Sequence, residues 1–224
     1  MASFVLVPGA GGMAWYWHRV VPLLRAAGHD AIAVDLPGDD PRTGLAAYAD
    51  IVIRASEGRS EIVLVAQSLA GFTAPLVCAR TPVRMLVFVN AMIPKPGETA
   101  GAWWGATGAV EAREQAAARH GYSTQFDVET YFLHDVSQDV LRTGPKPREE
   151  AETVFAEPCR FERWPGIPVH VLGGRDDRFF PIEFQRRLAR ERLAKEVEEI
   201  PGGHLVALSN PQGLAERLLA HAKG

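Results

Sequence analysis

The hexapeptide from Ala66 to Gly71 is the part of the sequence most suited to chemistry. It reads Ala-Gln-Ser-Leu-Ala-Gly and stands between a β-rich apolar run and a helix-like run. A sharp turn from strand to helix lifts a serine hydroxyl above a sheet, where backbone N–H groups at the helix N-terminus face a reacting group. Such a turn needs small residues two positions either side of Ser68, and Ala66 and Ala70 are small. A serine that only caps the helix is the alternative, and the hexapeptide alone does not separate the two.

A serine nucleophile requires a histidine and an acid later in the chain, in the order serine, acid, histidine. The segment Gly-Gly-Arg-Asp-Asp, which ends in Asp176 and Asp177, directly follows an apolar run. His204 follows the next such run after a Pro-Gly-Gly turn. Parallel sheets keep their sites at the carboxyl ends of strands, so these groups are predicted to converge on Ser68. A solvated turn and a surface histidine are the alternatives, and spacing alone does not choose between the two carboxylates.

A glycine-rich loop, Pro-Gly-Ala-Gly-Gly, follows the first apolar run of the chain. Gly9 and Gly11 allow the backbone to approach a substrate oxygen closely. The N–H groups of Ala10 and Leu69 are therefore predicted to form an oxyanion hole. A dinucleotide-binding loop is the rival interpretation, but the spacing is not G-x-G-x-x-G and the residues of a P-loop are missing.

Short apolar runs alternate with helix-like segments along most of the chain, as in successive β-α-β units. Strands are predicted over 4–7, 31–34, 61–66, 83–89, 168–172 and 196–200. Helices are predicted over 17–27, 43–55, 69–80, 182–193 and 211–222. This order predicts an α/β fold with a mainly parallel, doubly wound sheet and helices on both faces.

The alternation stops between residues 91 and 165, where prolines, an aromatic pair and a polar helix-like stretch occur. This segment is predicted to be an inserted cap on a core formed by 1–90 and 166–224, all within one structural domain. Trp103, Trp104 and Phe132 of the cap could line an apolar substrate pocket together with the glycine loop. Packing of the cap onto the sheet is the alternative for each aromatic residue.

Composition narrows the possible partners of this 224-residue chain. It has 47% apolar residues and a formal net charge of −3 with mixed signs, so nucleic acid and anionic membranes are not expected partners. A small molecule is expected instead. The sequence leaves the oligomeric state open, with a homodimer among the options.

Cys78 and Cys159 lie far apart without metal-ligand spacing, so no disulfide and no metal are predicted. No cofactor is predicted either. The N-terminus enters a strand-like run without a basic leader region, and no apolar run is long enough to span a bilayer. These features favour the cytoplasm.

With its serine hexapeptide, its glycine-rich loop and the later aspartate and histidine, the sequence resembles the α/β-hydrolase superfamily. The resemblance is strongest to the branch with plant methylesterases, hydroxynitrile lyases and small bacterial esterase-like proteins. The similarity covers nearly the whole chain outside the cap. It rests on FVLVPGAGG at 4–12, AWYWH at 14–18, VDL at 34–36, the Ser68 hexapeptide, Asp177 with Phe184-Gln185, and Gly203-His204.

The resemblance implies a serine hydrolase with the α/β-hydrolase fold, in which Ser68 is the nucleophile, His204 the base and Asp177 the acid. It favours Asp177 over Asp176 because only Asp177 keeps the family's distance to the 183–185 segment. It also implies that Ala10 and Leu69 supply the oxyanion N–H groups and that no cofactor is needed.

The departures from this branch bear on the reaction. Pro8 stands where relatives commonly have histidine, and alanines replace the glycines on either side of the serine. The lyases of the branch resemble one another in having threonine at the position of Gly9 and lysine at that of Leu205. The resemblance therefore implies a carboxylesterase for a small, mainly apolar ester. A lyase or perhydrolase with the same triad and a non-catalytic binding protein are the alternatives.

Overall fold

Six parallel strands form one sheet in a computed structural model that describes residues 1–223. The strands are β1 Ser3–Val7, β2 Asp30–Ala33, β3 Ile62–Gln67, β4 Met85–Val89, β5 Val169–Gly174 and β6 Val197–Ile200. Their spatial order is β2-β1-β3-β4-β5-β6, and all five neighbouring pairs are parallel. The predicted α/β class is confirmed.

The helices connect successive strands and cover both faces of the sheet. They are α1 Val21–Ala26, α2 Leu45–Ser56, α3 Ala70–Cys78, α4 Ala100–Thr107, α5 Ala109–His120, α6 Gln138–Arg142, α7 Glu152–Ala156, α8 Ile182–Leu193, α9 Val206–Ser209 and α10 Pro211–Ala222. A 3₁₀ turn at Ala14–Trp17 and a π-helical turn at Glu129–Leu133 complete the set.

The central strands are almost entirely apolar because both of their faces are covered; Ser3 and Gln67 are the polar exceptions in β1 and β3. Every residue of β1, β3 and β4 is buried. Alternate residues of β1 point to opposite faces: Val5 and Val7 join the cluster under α2, α3 and α8, whereas Phe4 and Leu6 join the cluster under α1 and α10. Continuous apolar runs in the sequence thus correspond to doubly covered strands.

The strand order reverses between β1 and β3, and this reversal determines where a site can form. From β1 the chain moves outward to β2 and then returns to the other side of β1 to form β3. In open parallel sheets, the carboxyl ends of the strands at such a reversal border a crevice. The loop after β1 contains Gly9, and the turn after β3 contains Ser68, so the topology brings these two segments together.

Element boundaries differ from prediction mainly near the N-terminus. The predicted helix over 17–27 is shorter, since α1 begins only at Val21, with Pro22 in its first turn, after a separate 3₁₀ turn. Proline suits a first helical turn because it has no N–H to donate. The short helix α9 was not predicted.

Helices α4 to α7 and the π-helical turn all lie in the segment predicted to be a cap. A two-residue antiparallel bridge joins Thr99 to Pro158, near the two ends of this segment. The proposed division into a core (1–90 and 166–224) and a cap (91–165) stays a prediction, and Gly224 lies outside the described residues. Within residues 1–223, no helix combines the length and the apolarity required to cross a bilayer.

Candidate active site

A continuous hydrogen-bonded chain joins Ser68, His204 and Asp177. Ser68 Oγ lies 3.0 Å from Nε2 of His204, and Nδ1 of the same ring lies 2.9 Å from Asp177 Oδ2. All three residues are buried. They follow β3, β6 and β5, so the parallel sheet brings Ser68 together with two residues that are more than a hundred positions away in the sequence.

The turn between β3 and α3 is strained at Ser68. Its φ of 52° lies in the left-handed region, which a residue with a side chain seldom adopts. Ala66 and Ala70 are buried as the turn requires, but the tightest contact is at Gly71. A Cβ on Gly71 would lie 1.7 Å from the carbonyl oxygen of Met92, so only glycine fits there. The sequence analysis missed this requirement, although a glycine in the first turn of a helix is a signal for it.

Four groups surround the carboxylate of Asp177 in a fixed arrangement. Its Oδ1 accepts the backbone N–H groups of Phe179 and Phe180 at 2.8 and 2.9 Å. Its Oδ2 faces His204 and also accepts from Gln185 Nε2 at 3.3 Å. Because a carboxylate only accepts, His204 carries its proton on Nδ1 and directs the Nε2 lone pair at Ser68.

The neighbouring Asp176 is placed quite differently. Its side chain is 50% exposed, whereas that of Asp177 is 0% exposed. Asp176 accepts the N–H of Gly202 at 3.1 Å and so ties down the loop that precedes His204. The two carboxylates, which spacing alone could not distinguish, thus have separate surroundings, and only Asp177, the one that the resemblance favours, reaches the imidazole.

Asn90 connects the loop that contains the acid to the loop that contains the histidine. Its Oδ1 accepts the N–H of Gly174 at 2.6 Å, while its Nδ2 donates to the carbonyls of Gly203 and His204, both at 3.0 Å. Asn90 is fully buried and has a φ of 47°, a conformation that asparagine tolerates better than most residues. Sequence reasoning missed Asn90, although a polar residue directly after the apolar strand β4 was a signal.

A second support for the histidine loop comes from the predicted cap. Asp135 Oδ2 accepts the N–H of Gly203 at 2.6 Å. The preceding His134 is half-buried, and burial lowers the pKa of its ring. His134 and Asp135 therefore lie against the backbone of the loop that presents His204, and Asp135 acts as a hydrogen-bond acceptor for it.

The glycine loop approaches the serine as closely as two backbones can. A Cβ on Gly9 would lie 2.6 Å from Gln67 Oε1 and 2.7 Å from Ser68 Cβ. The Gly9 N–H donates to Gln67 Oε1 at 2.9 Å. Within residues 1–223, the N–H groups of Ala10 and Leu69 donate to no protein group. Both donors are thus open for a ligand.

A carboxylate from the predicted cap holds the other end of this glycine loop. Glu150 Oε2 accepts the N–H of Gly11 at 2.7 Å, and its Oε1 accepts the hydroxyl of Tyr48 at 2.5 Å. A Cβ on Gly11, which has a φ of 79°, would lie 2.5 Å from the carbonyl oxygen of Arg148. Burial raises the pKa of Glu150. Gly11 therefore contacts the predicted cap, and no sequence signal pointed to Glu150.

Three phenylalanine rings surround the imidazole of His204. The ring centroids of Phe132, Phe179 and Phe180 lie 4.9, 5.0 and 5.2 Å from that of His204. Phe132 comes from the π-helical turn, whereas the other two lie two and three residues after Asp177. An apolar wall of this kind excludes water from the histidine and favours apolar groups beside it.

Trp103 and Trp104 lie one layer farther from the histidine. Trp103 is fully buried, donates its indole N–H to the carbonyl of Ile93 at 3.1 Å and packs edge-on against Phe180. Trp104 packs against Phe179 and Phe180. The two indoles thus support the phenylalanine wall from behind.

A large cleft of about 890 Å³ lies between α5 and α8, away from the serine. Its charged lining includes Arg119, Arg175 and Arg187, and it reaches Asp177 but neither Ser68 nor His204. Since the carboxylate of Asp177 is fully buried behind its hydrogen bonds, the cleft gives no access to the reacting hydroxyl. The geometry around Ser68 identifies the candidate site better than cleft volume does.

Comparison with known proteins places the whole chain in a family. The model of the alpha/beta hydrolase family matches residues 4–217. The chain belongs to the alpha/beta hydrolase family. Its six-stranded parallel sheet and flanking helices are those of the structural neighbours in this family.

Both an esterase and a lyase are among the relatives of this alpha/beta hydrolase. An alpha-hydroxynitrile lyase of Arabidopsis thaliana is 27% identical, with 98% of this chain and 96% of that protein covered. Polyneuridine aldehyde esterase of Rauvolfia serpentina is 25% identical, with 96% and 94% covered. The crystal structure of a pyrethroid hydrolase from Sphingobium faniae has a TM-score of 0.77 at 22% identity and covers 100% of this chain and 98% of its own.

Proposed function

We propose that this alpha/beta hydrolase is a serine carboxylesterase that cleaves a small, mainly apolar ester through an acyl-enzyme. The hydrogen-bonded chain from Ser68 Oγ through His204 to Asp177 Oδ2 is the observation that carries this proposal. A serine hydroxyl becomes a nucleophile only when a base accepts its proton, and His204 Nε2 lies within reach of that proton.

In the first half of the reaction, Ser68 Oγ bonds to the ester carbonyl carbon while its proton moves to His204 Nε2. Asp177 stabilises the resulting imidazolium. The N–H groups of Ala10 and Leu69 stabilise the oxyanion, and one such donor contributes about 3 kcal/mol to the barrier reduction. The carbon–oxygen bond of the ester then breaks, and the leaving alcohol takes the proton from His204.

In the second half, water replaces the alcohol. His204 takes a proton from the water as its oxygen bonds to the acyl carbon, and the proton then returns to Ser68 as the acid leaves. No metal or organic cofactor takes part in this sequence. The phenylalanine rings of Phe132, Phe179 and Phe180 favour a substrate with an apolar group next to the ester.

Cyanohydrin cleavage is the second candidate, because an alpha-hydroxynitrile lyase is among the relatives. Leu205 and Gly9 argue against it, because the family resemblance implies lysine and threonine at these two positions in a lyase of this branch. Without a cation after His204, nothing at that position offsets the charge of a departing cyanide. Ester hydrolysis is therefore preferred.

Labelling with a fluorophosphonate probe, followed by peptide mass mapping, tests for the activated serine. We expect modification of Ser68 in the native protein and none in Ser68→Ala or His204→Ala. Asp176→Asn is the matched control and should label normally, because Asp176 does not reach the imidazole.

Turnover of a series of esters of increasing acyl length, beside a cyanohydrin and a peroxide-dependent halogenation assay, then identifies the reaction. Ester turnover that is lost in Ser68→Ala would support the esterase. Without ester turnover, cyanohydrin cleavage would show that the enzyme is a lyase, and peroxide-dependent halogenation would show that it is a perhydrolase. Folded native protein that is not labelled at all would favour a non-catalytic binding protein.

A further inference from the structure

His170, Glu198 and His221 form a cluster at the edge of the sheet opposite to Ser68. His170 and Glu198 are the second residues of β5 and β6, near the amino ends of these strands, and His221 lies in the last turn of α10. The candidate active site lies beyond the carboxyl ends. Along β5, residue 170 is separated by about 13 Å from residue 174, the last residue of the strand, and the active site lies farther on. The cluster is thus distinct from the site described above.

The packing of α10 on the sheet brings the three side chains together. Leu172 pairs with Glu198, so Glu198 and His170, two residues before Leu172, lie on one face of the sheet. That face packs against α10, where Leu218 is part of the apolar cluster. His221 follows Leu218 by three residues and so shares its helix face.

The three donor atoms are close enough to share one metal ion. Nε2 of His221 lies 3.1 Å and Nδ1 of His170 lies 3.6 Å from Glu198 Oε1, and all three atoms lie within 4.8 Å of one another. A tetrahedral zinc ion with bonds of about 2.1 Å holds its ligand atoms about 3.4 Å apart. The two imidazole rings stack at 3.8 Å and would splay slightly around an ion.

The orientation of the His221 ring also favours a metal. Nε2 of His221 is buried and makes no well-aligned hydrogen bond within residues 1–223, despite its distance of 3.1 Å from Glu198. A simple hydrogen-bonded cluster would align that contact.

We propose that His170, Glu198 and His221 bind one Zn²⁺ ion, with water as the fourth ligand, and that the ion holds α10 against β5 and β6. Two imidazoles and a carboxylate form a ligand set that zinc commonly takes. All three residues are partly exposed, so an ion can enter from solvent. Because the ion would lie far from Ser68, its role is structural.

Titration of tag-free, chelator-treated native protein with zinc chloride, in competition with a chromophoric chelator, tests the proposal. We expect one ion per chain at micromolar or lower zinc, and a rise in Tm of about 5 °C or more at saturation. His170→Gln and His221→Gln should each weaken binding by about tenfold or more and abolish the Tm rise. His120→Gln, on the exposed end of α5, is the matched control and should behave as native.

Two results would overturn the site. The first is that the native protein binds no zinc at micromolar concentration. The second is that both histidine variants bind zinc with the same affinity as the His120→Gln control. Circular dichroism establishes whether each variant is folded. If a histidine variant does not fold, the near-isosteric Glu198→Gln tests in its place whether zinc binds at this cluster. Where circular dichroism shows that the zinc-free protein is folded, fluorophosphonate labelling of Ser68 should not change with zinc, and a loss of labelling from that folded protein would overturn the structural role.

Discussion

Two loops flank the Ser68 hydroxyl, the loop that presents His204 and the glycine-rich loop after β1, and different parts of the molecule hold them in place. On the histidine side, buried groups of the core make most of the hydrogen bonds: Asn90 joins the two loops, and Gln185 contacts Asp177. On the glycine side, the loop after β1 is held at Gly11 by Glu150, which is half-buried and belongs to the predicted cap.

This difference separates the parts of the proposed reaction. The core determines the geometry of proton transfer, because strands β4, β5 and β6 carry the residues that fix His204. The cap influences the oxyanion donors, since Glu150 binds the residue next to Ala10. Substitutions on the histidine side should reduce both stability and turnover, whereas those on the glycine side should mainly reduce turnover.

The largest effect is expected for Asp177→Asn. An amide at this position can donate to Nδ1 of His204 and favour the wrong tautomer, so we expect kcat to fall about ten-thousand-fold. The measurement is kcat for ester hydrolysis in Asp177→Asn and, for comparison, in Asp176→Asn. Asp176→Asn should retain turnover within a factor of about three, because it keeps an oxygen that accepts from Gly202. Equal losses in the two variants would contradict the assignment of the acid.

A smaller effect is expected for Asn90. Replacing it by alanine leaves the buried N–H of Gly174 without a partner and should lower the free energy of unfolding by about 3 kcal/mol. We expect kcat to fall about tenfold as the His204 loop shifts. Chemical denaturation and ester kinetics measure the two effects.

Asn90→Gly is the matched variant, because glycine tolerates the φ of 47° without strain. It should regain about 1 kcal/mol over Asn90→Ala but none of the lost turnover. Native turnover in Asn90→Gly would show that the amide has no part in positioning His204.

On the glycine side we expect a loss of turnover with little loss of stability. Glu150→Ala removes the acceptor of the Gly11 N–H and should lower kcat about threefold to tenfold, because the oxyanion loop becomes less ordered. Glu150→Gln keeps an oxygen acceptor and should restore most of the rate. If Glu150→Ala unfolds at much lower denaturant than Asn90→Ala, the contrast between the two sides is wrong.

The smallest expected effect is a pH dependence of stability at Glu150. Burial raises its pKa in the folded protein above the ordinary value of 4.5, so folding favours its protonated form. This contribution is fully present below the unfolded pKa and is lost as the pH rises through the folded pKa. Relative to Glu150→Gln, the native protein should therefore lose stability as the pH rises above the ordinary value of 4.5.

Urea denaturation of the native protein and Glu150→Gln at several pH values measures this difference. A gap that moves in the opposite direction would mean that the N–H of Gly11 and the hydroxyl of Tyr48 outweigh burial and keep Glu150 ionised.

Much of the fold could be predicted, because local chemistry decides it. The continuous apolar runs at β1 and β3 require cover on both faces, and parallel pairing meets that need. The start of α1 could not be predicted: Trp17 and Val20 have helical spacing, but Trp17 is buried from a 3₁₀ turn and the helix follows later.

The candidate site was predictable to the extent that it follows strand ends. Ser68, Asp177 and His204 each occur just after an apolar run, and the order of the runs along the chain suggests one edge of a sheet. Asn90, Asp135 and Glu150 have no such signal, because their roles depend on backbone groups that are distant in sequence.

The sequence by itself determined the alternation of strands and helices, the glycine-rich loop and the apolar runs that precede Ser68, Asp177 and His204, all of which follow from local backbone and burial preferences. Only the tertiary structure decided which of two adjacent carboxylates faces His204. It also decided which cap residues contact the two loops and that His170 and His221 meet across β5 and α10. Hydrogen bonds and packing over a few ångströms depend on strand order and register, and these long-range arrangements have no local sequence signal.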